Sequence, residues 1–109
     1  MKILDFTSFC AAKNVQELLY QQWLGLCAQD TTPSHYYCGI TNDPDVRKKD
    51  HEAKLGKTID YLCVCQCDSA EIAGEVEELM AKKGFDIGEV GFGGNGKADD
   101  SVYVYLFKK

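Results

Sequence analysis

Asp43 followed at once by Pro44, with Gly56 one helix length later, constrains this chain more than any other feature. Asp43 can cap a helix through its carboxylate, and Pro44 fits the first helical position, where no backbone N–H is needed. Asp45 adds negative charge where the helix dipole favours it. Gly56 supplies the stop. These signals predict a helix over about residues 44 to 55. Just before it, Tyr36-Tyr37-Cys38-Gly39-Ile40-Thr41 is β-branched, aromatic or small, as a strand requires. The stretch from His35 to His51 therefore reads as strand, turn and helix start without a break.

The predicted helix is poor in apolar residues: Val46, Ala53 and Leu55 are all it has. Arg47 and His51 lie four apart and share a face. Helix stability does not ask for two potential cations there. Taken alone, the pair reads as part of a solvated basic face.

Elsewhere the chain alternates strands and helices. Residues 2 to 6 read as a short strand or extended arm. Asn14 with Glu17 three residues on resembles a capping box. It predicts a helix from residue 15 to about 22, or on to 28, with Val15, Leu18, Leu19, Trp23 and Leu26 at helical spacing. Residues 58 to 67 read as a strand covered on both sides and hence central, with Ile59, Tyr61, Cys63 and Cys65 on one face and Leu62 and Val64 on the other. A second capping signal, Asp68-Ser69-Ala70-Glu71, opens a helix over about 69 to 83 that buries Ile72, Val76, Leu79 and Met80. On a helical wheel Glu71 and Glu78 point away from that apolar face, and Glu75 and Glu77 sit on its borders. Gly84 ends the helix. A glycine-rich loop over 86 to 100, with Asn95 as its most notable side chain, has no nucleotide-binding pattern. A closing strand follows over 101 to 108, with Tyr103, Tyr105 and Phe107 on one face.

At 109 residues the chain reads as one domain, long enough for a core without staples. No apolar run reaches membrane-spanning length, and the N-terminal stretch lacks the long apolar region of a secretory signal. A cytoplasmic protein with no membrane partner is the expectation. The six cysteines are then reduced thiols rather than a disulfide frame. Cys63, Cys65 and Cys67 alternate along a strand and read as small buried side chains. Zinc or redox chemistry at these three is the sharper alternative, but no Cys-x-x-Cys or His-x-x-x-His pair accompanies them. The net charge of −5 disfavours non-specific duplex binding. Positive charge nevertheless gathers on the Asp43–Gly56 helix and just beyond it, at Arg47, Lys48, Lys49, Lys54 and Lys57.

Tyr37-Cys38-Gly39, then Thr41-Asn42, then Arg47 and His51, resembles the second half of the GIY-YIG nuclease signature: Tyr-Ile-Gly on a strand, a Thr-Asn turn, and a helix carrying Arg with His four residues later. Ala73 and Glu77 fit the family's frame for a metal-holding Glu on the helix after the third strand, with Glu75 as fallback. The resemblance covers roughly residues 23 to 83. It implies an α/β fold of the α+β type, with a small, mainly antiparallel sheet of three to four strands flanked by helices. It also implies a metal-dependent endonuclease hydrolysing phosphodiester bonds in nucleic acid, with DNA the expected partner. Glu77 would hold Mg²⁺ or Mn²⁺, water filling the other positions. Arg47 would steady the transition state, and Tyr37 or His51 would take a proton from the attacking water. Lys48, Lys49 and Lys54 would contact the nucleic acid backbone. A homodimer or protein partner is expected to help so small a domain find its target.

One part of the signature is missing. The family's Gly-Ile-Tyr belongs on a strand about ten residues before Tyr37, where Gly25-Leu26-Cys27 stands. Three explanations remain open. The chain is a catalytically degenerate module that binds nucleic acid or a protein; or Tyr36 or Tyr20 substitutes; or the closing strand has taken the vacated sheet position by circular permutation, with Tyr103 as the second tyrosine.

Overall fold

A computed structural model describes residues 2–87 and 100–109. Among the described residues, four strands and three α-helices follow in the order β1 (Ile3–Phe6), α1 (Ala12–Leu26), β2 (Tyr36–Thr41), α2 (Pro44–Leu55), β3 (Tyr61–Cys67), α3 (Ala70–Lys82) and β4 (Tyr103–Lys108). They form one sheet in the order β1-β3-β4-β2. β4 runs antiparallel to both neighbours, while β1 and β3 are parallel, so the sheet is mixed, with two antiparallel pairings. No helix among the described residues is long and apolar enough to cross a membrane.

The bracket around α2 forms as its residues dictate. The Asp43 carboxylate accepts the N–H groups of Asp45 and Val46 at 3.1 and 3.2 Å, and Gly56 closes the helix at φ +70°. The Thr41 hydroxyl accepts from the Asp43 amide at 3.1 Å, which fixes the turn between β2 and α2. Asp43→Ala is expected to remove about 1 kcal/mol of stability. A thermal melt would show this as a midpoint lowered by about 4–8 °C.

Two layers sandwich the sheet. On one face α1 and α3 bury Val15, Leu19, Trp23, Val76 and Met80 against Cys38, Cys65 and Leu106. On the other face Tyr37, Val64, Tyr105 and Phe107 form a smaller cluster with Ile59. α2 covers that cluster. Because α2 has almost no apolar side chains, the sheet's rings rise to meet it, and its main buried contribution is His51. Tyr61 Oη ties the start of the helix down by donating to the Pro44 carbonyl at 2.7 Å.

Two expectations need correction. α1 begins at Ala12 with no side-chain cap, so Asn14 lies inside the helix; burial of Ala12 against the core extends it past the local signal. The simple alternation along β3 also fails. The register against β4 shifts between Tyr61 and Cys63, which puts Tyr61 with Val64 on the α2 side, apart from Cys63 and Cys65. One inserted residue is enough to reverse which face a side chain takes.

Candidate active site

The residues of the strand–turn–helix segment converge on the aromatic face beneath α2. Tyr37 projects there from β2. Its ring stacks on Phe107 at 5.2 Å and meets the His51 ring edge-on at 4.7 Å, centroid to centroid. His51 Nε2 lies 2.6 Å from Tyr105 Oη, the direction of donation following the imidazole tautomer. Tyr105 in turn faces Gly39 across the β2–β4 ladder. A Cβ on Gly39 would fall 2.5 Å from Tyr105 Cζ, so the glycine exists here to let that ring lie flat over the strand.

Burial sets the charge states. His51 and Tyr105 are each 2% exposed. Burial, with the Arg47 cation assisting, pushes the His51 pKa down to about 4, and Asp50 only partly opposes this. The imidazole is neutral at pH 7. Burial first, then the Glu77 and Asp86 carboxylates, pushes the Tyr37 phenol up to about 12, against the pull of Arg47. Tyr105 shifts upward for the same leading reason. Half-buried Arg47 is thus the resident cation of this face, its charge felt at Tyr37, His51, Tyr61 and Tyr105. A planar guanidinium beside protonated phenols is suited to receiving a phosphate.

The remaining expected residues are more scattered. Tyr103 packs against the same aromatic cluster but pairs with Thr41, whereas Phe107 pairs with Tyr37. That separation is four residues, about 13 Å along β4. The tyrosine beside Tyr37 and His51 is Tyr105, which the sequence reading overlooked as a site residue. A glycine inside a strand was the available signal, because it marks a close approach from the facing position. Tyr20 and Tyr36 lie on the opposite face: Tyr20 packs on Trp23, and Tyr36 donates to the carbonyls of Cys27 and Asp30.

Glu77 is 5% exposed on α3, whose apolar residues pack on the far side of the sheet. Its charge is nevertheless felt at both Tyr37 and Cys38. Glu75 is exposed. Lys48 makes a 3.7 Å ion pair with Asp60, and Lys49 is exposed. Lys54 lines a cavity of about 340 Å³ with Tyr37, His51, Asp86 and Phe107. Asn95 lies outside the described residues.

No group of three His, Cys, Asp or Glu among the described residues is arranged to hold a metal ion. Glu77 offers one carboxylate, but at 5% exposed on the buried face of α3 it does not fit a Mg²⁺ or Mn²⁺ that keeps most of its water. The cysteines on the α1–α3 face are buried free thiols. Burial raises Cys38 and pushes Cys63 up to about 12, so both stay protonated and act as small apolar fillers. Comparison with protein-family models, curated proteins and solved structures finds no match to this chain.

Proposed function

We propose that this chain is a circularly permuted GIY-YIG-like domain that hydrolyses phosphodiester bonds in nucleic acid, with DNA as its expected substrate. One observation carries the reading. α1 is helical through Leu26, and β4 lies antiparallel beside β2, bringing Tyr105 next to Tyr37 within reach of Arg47's charge. A strand carrying a tyrosine thus stands beside the Tyr-Cys-Gly strand, although it comes last in sequence rather than first. The permutation uses Tyr105 where the sequence pointed to Tyr103.

In this reading Arg47 binds the phosphate through paired N–H donors and stabilises charge as it develops. Tyr37 orients the incoming water, and His51 holds Tyr105 in place. Lys49 and Lys54 would follow the backbone. The cytoplasm is the matching compartment, since it keeps the thiols reduced.

A second reading, a module that binds nucleic acid or a protein without cleaving, is favoured by the closure of the His51–Tyr105 pair. Both groups are buried and bonded to each other, so neither is set to take a proton from water. The test is cleavage of nicked, branched and duplex DNA, and of RNA, with Mg²⁺ or Mn²⁺. Cleavage is expected to fall at least about 100-fold in Arg47→Ala. Binding without cleavage would select the module reading. Neither binding nor cleavage of any of these substrates would remove the nuclease and the nucleic-acid-binding module and leave only a protein-binding one.

A further inference from the structure

The cavity beneath the C-terminal half of α2 holds chemistry that phosphate binding at Arg47 leaves unused. Its volume is about 340 Å³; Tyr37, Leu55 and Phe107 give it apolar walls, and Lys54, Asp86 and Lys109 stand around it. Tyr37 is 7% exposed, and among the described residues its hydroxyl has no hydrogen-bond partner. The polar side-chain atoms sealed from solvent without a partner among those residues are Trp23 Nε1 and Ser101 Oγ. The Tyr37 oxygen is not one of them, so it opens on the cavity that its residue lines. With its pKa pushed up to about 12, chiefly by burial, the phenol stands there as a donor at neutral pH.

A fixed acceptor stands beside it. The Asp86 amide donates to the Tyr36 carbonyl at 3.1 Å, and the Asp86 carbonyl accepts from the Cys38 amide at 2.8 Å, which straps residue 86 to the edge of β2 next to Tyr37. Lys109 Nζ donates to the Asp86 carboxylate at 3.0 Å. A carboxylate accepts at about four positions, so one lysine does not saturate it. The cavity therefore presents an O–H donor and a carboxylate acceptor between apolar walls. A phosphodiester offers acceptors alone. A nucleobase offers donors and acceptors along one edge of a flat, largely apolar ring.

We infer that this cavity is a subsite for one unpaired nucleobase flanking the phosphate held at Arg47. A ring nitrogen or carbonyl of the base accepts from Tyr37 Oη, and its amino group donates to Asp86. A cavity of this size lies at the small end of ligand sites and takes one nucleotide rather than a base pair. Inside a duplex the same edge is already paired, so the base comes from a single-stranded end, gap or flap, or is turned out of the stack. Lys54, at the cavity, lies seven residues beyond Arg47 on α2, about 10 Å along the helix, near enough for a flanking nucleotide to enter. The phenol keeps a lone pair for the water it orients, since a hydroxyl both donates and accepts. The inference rests on nucleic acid being the partner, as proposed above, and not on its cleavage.

The test is binding by the full chain, followed by fluorescence anisotropy with EDTA present, to three labelled DNAs. They are a blunt duplex, the same duplex with a single abasic overhang, and the same duplex with a single adenine overhang, placed at each strand end in turn. The adenine overhang is expected to bind at least about tenfold more tightly than the abasic one, the order of a single base contact. Leu55→Trp, which fills the cavity from a position 47% exposed at the end of the helix, should erase that ratio and leave the blunt duplex bound as before. Tyr37→Phe, which removes only the donor, should reduce the ratio about fivefold. Circular dichroism would verify that both variants keep their helices. Equal binding of the adenine and abasic overhangs, or a preference that survives both variants, would overturn the inference and leave nucleic-acid binding standing. Binding to none of the three would overturn the inference together with the nucleic-acid reading.

Discussion

Gly39→Ala is expected to destabilise the fold by about 3 kcal/mol or more, at the upper end of overpacking effects. Its thermal midpoint should drop by about 12–24 °C. The added methyl would sit 2.5 Å from Tyr105 Cζ. A tyrosine tip can usually swing away from such a contact, but this one is confined. His51 Nε2 holds its hydroxyl, the Tyr37 and Phe107 rings stack beside it at 6.1 and 6.3 Å, and Tyr61 lies at 4.9 Å. Tyr105→Leu in the same chain should recover part of the loss, since the shorter side chain vacates the space over position 39. Additive losses in the double variant would show that the strain is located elsewhere.

Acidification should destabilise the protein through His51 before most carboxylates matter. The buried imidazole has its pKa lowered from 6.5 to about 4. Between those values the unfolded chain binds the proton and the folded chain does not. Stability is therefore complete above about pH 6.5 and declines as pH falls towards 4, by roughly 3 kcal/mol in all. Asp30, held at about 2 mainly by its hydrogen bond to His35, loses its contribution only at lower pH, so the two windows separate. Urea denaturation at a series of pH values would measure the slope. In His51→Gln, which keeps a polar group near Tyr105 but cannot titrate, the stability should be nearly flat over pH 4 to 6.5. An unchanged slope in that variant would assign the loss to other groups.

The parts of this fold legible in sequence are those with local chemical punctuation. Asp43, Pro44 and Gly56 bound α2 at the expected residues because each acts on its own neighbours. Ser69 caps α3 by accepting from the Ile72 amide, again a local bond. What was illegible depends on the facing strand. No pattern along β3 announces the shift between Tyr61 and Cys63, because it is defined by the pairing with β4. The same gap led the sequence reading to Tyr103. Both tyrosines share a face, and only the register, Gly39 opposite Tyr105 and Thr41 opposite Tyr103, tells them apart. Glu77 was expected on a border of its helix but lies in the buried face with Ala73, Val76 and Met80, while Ile72 and Leu79 are only half-buried, because which side of α3 meets the sheet is a property of the topology.

The position of β4 also has a consequence for how the protein comes to exist. β4 lies between β3 and β2, so β2 has no strand to pair with until residues 103 to 108 have been synthesised. A ribosome delivering the chain from its N-terminus presents β1, β3 and the helices first, with β2 lacking its strand partner and Tyr37 without the rings it stacks on. Tyr37 must wait for Phe107, and His51 for Tyr105. Contacts between residues so distant in sequence slow folding. The aromatic face therefore assembles last, as a single event, when the late strand slides into the gap that the earlier ones have left.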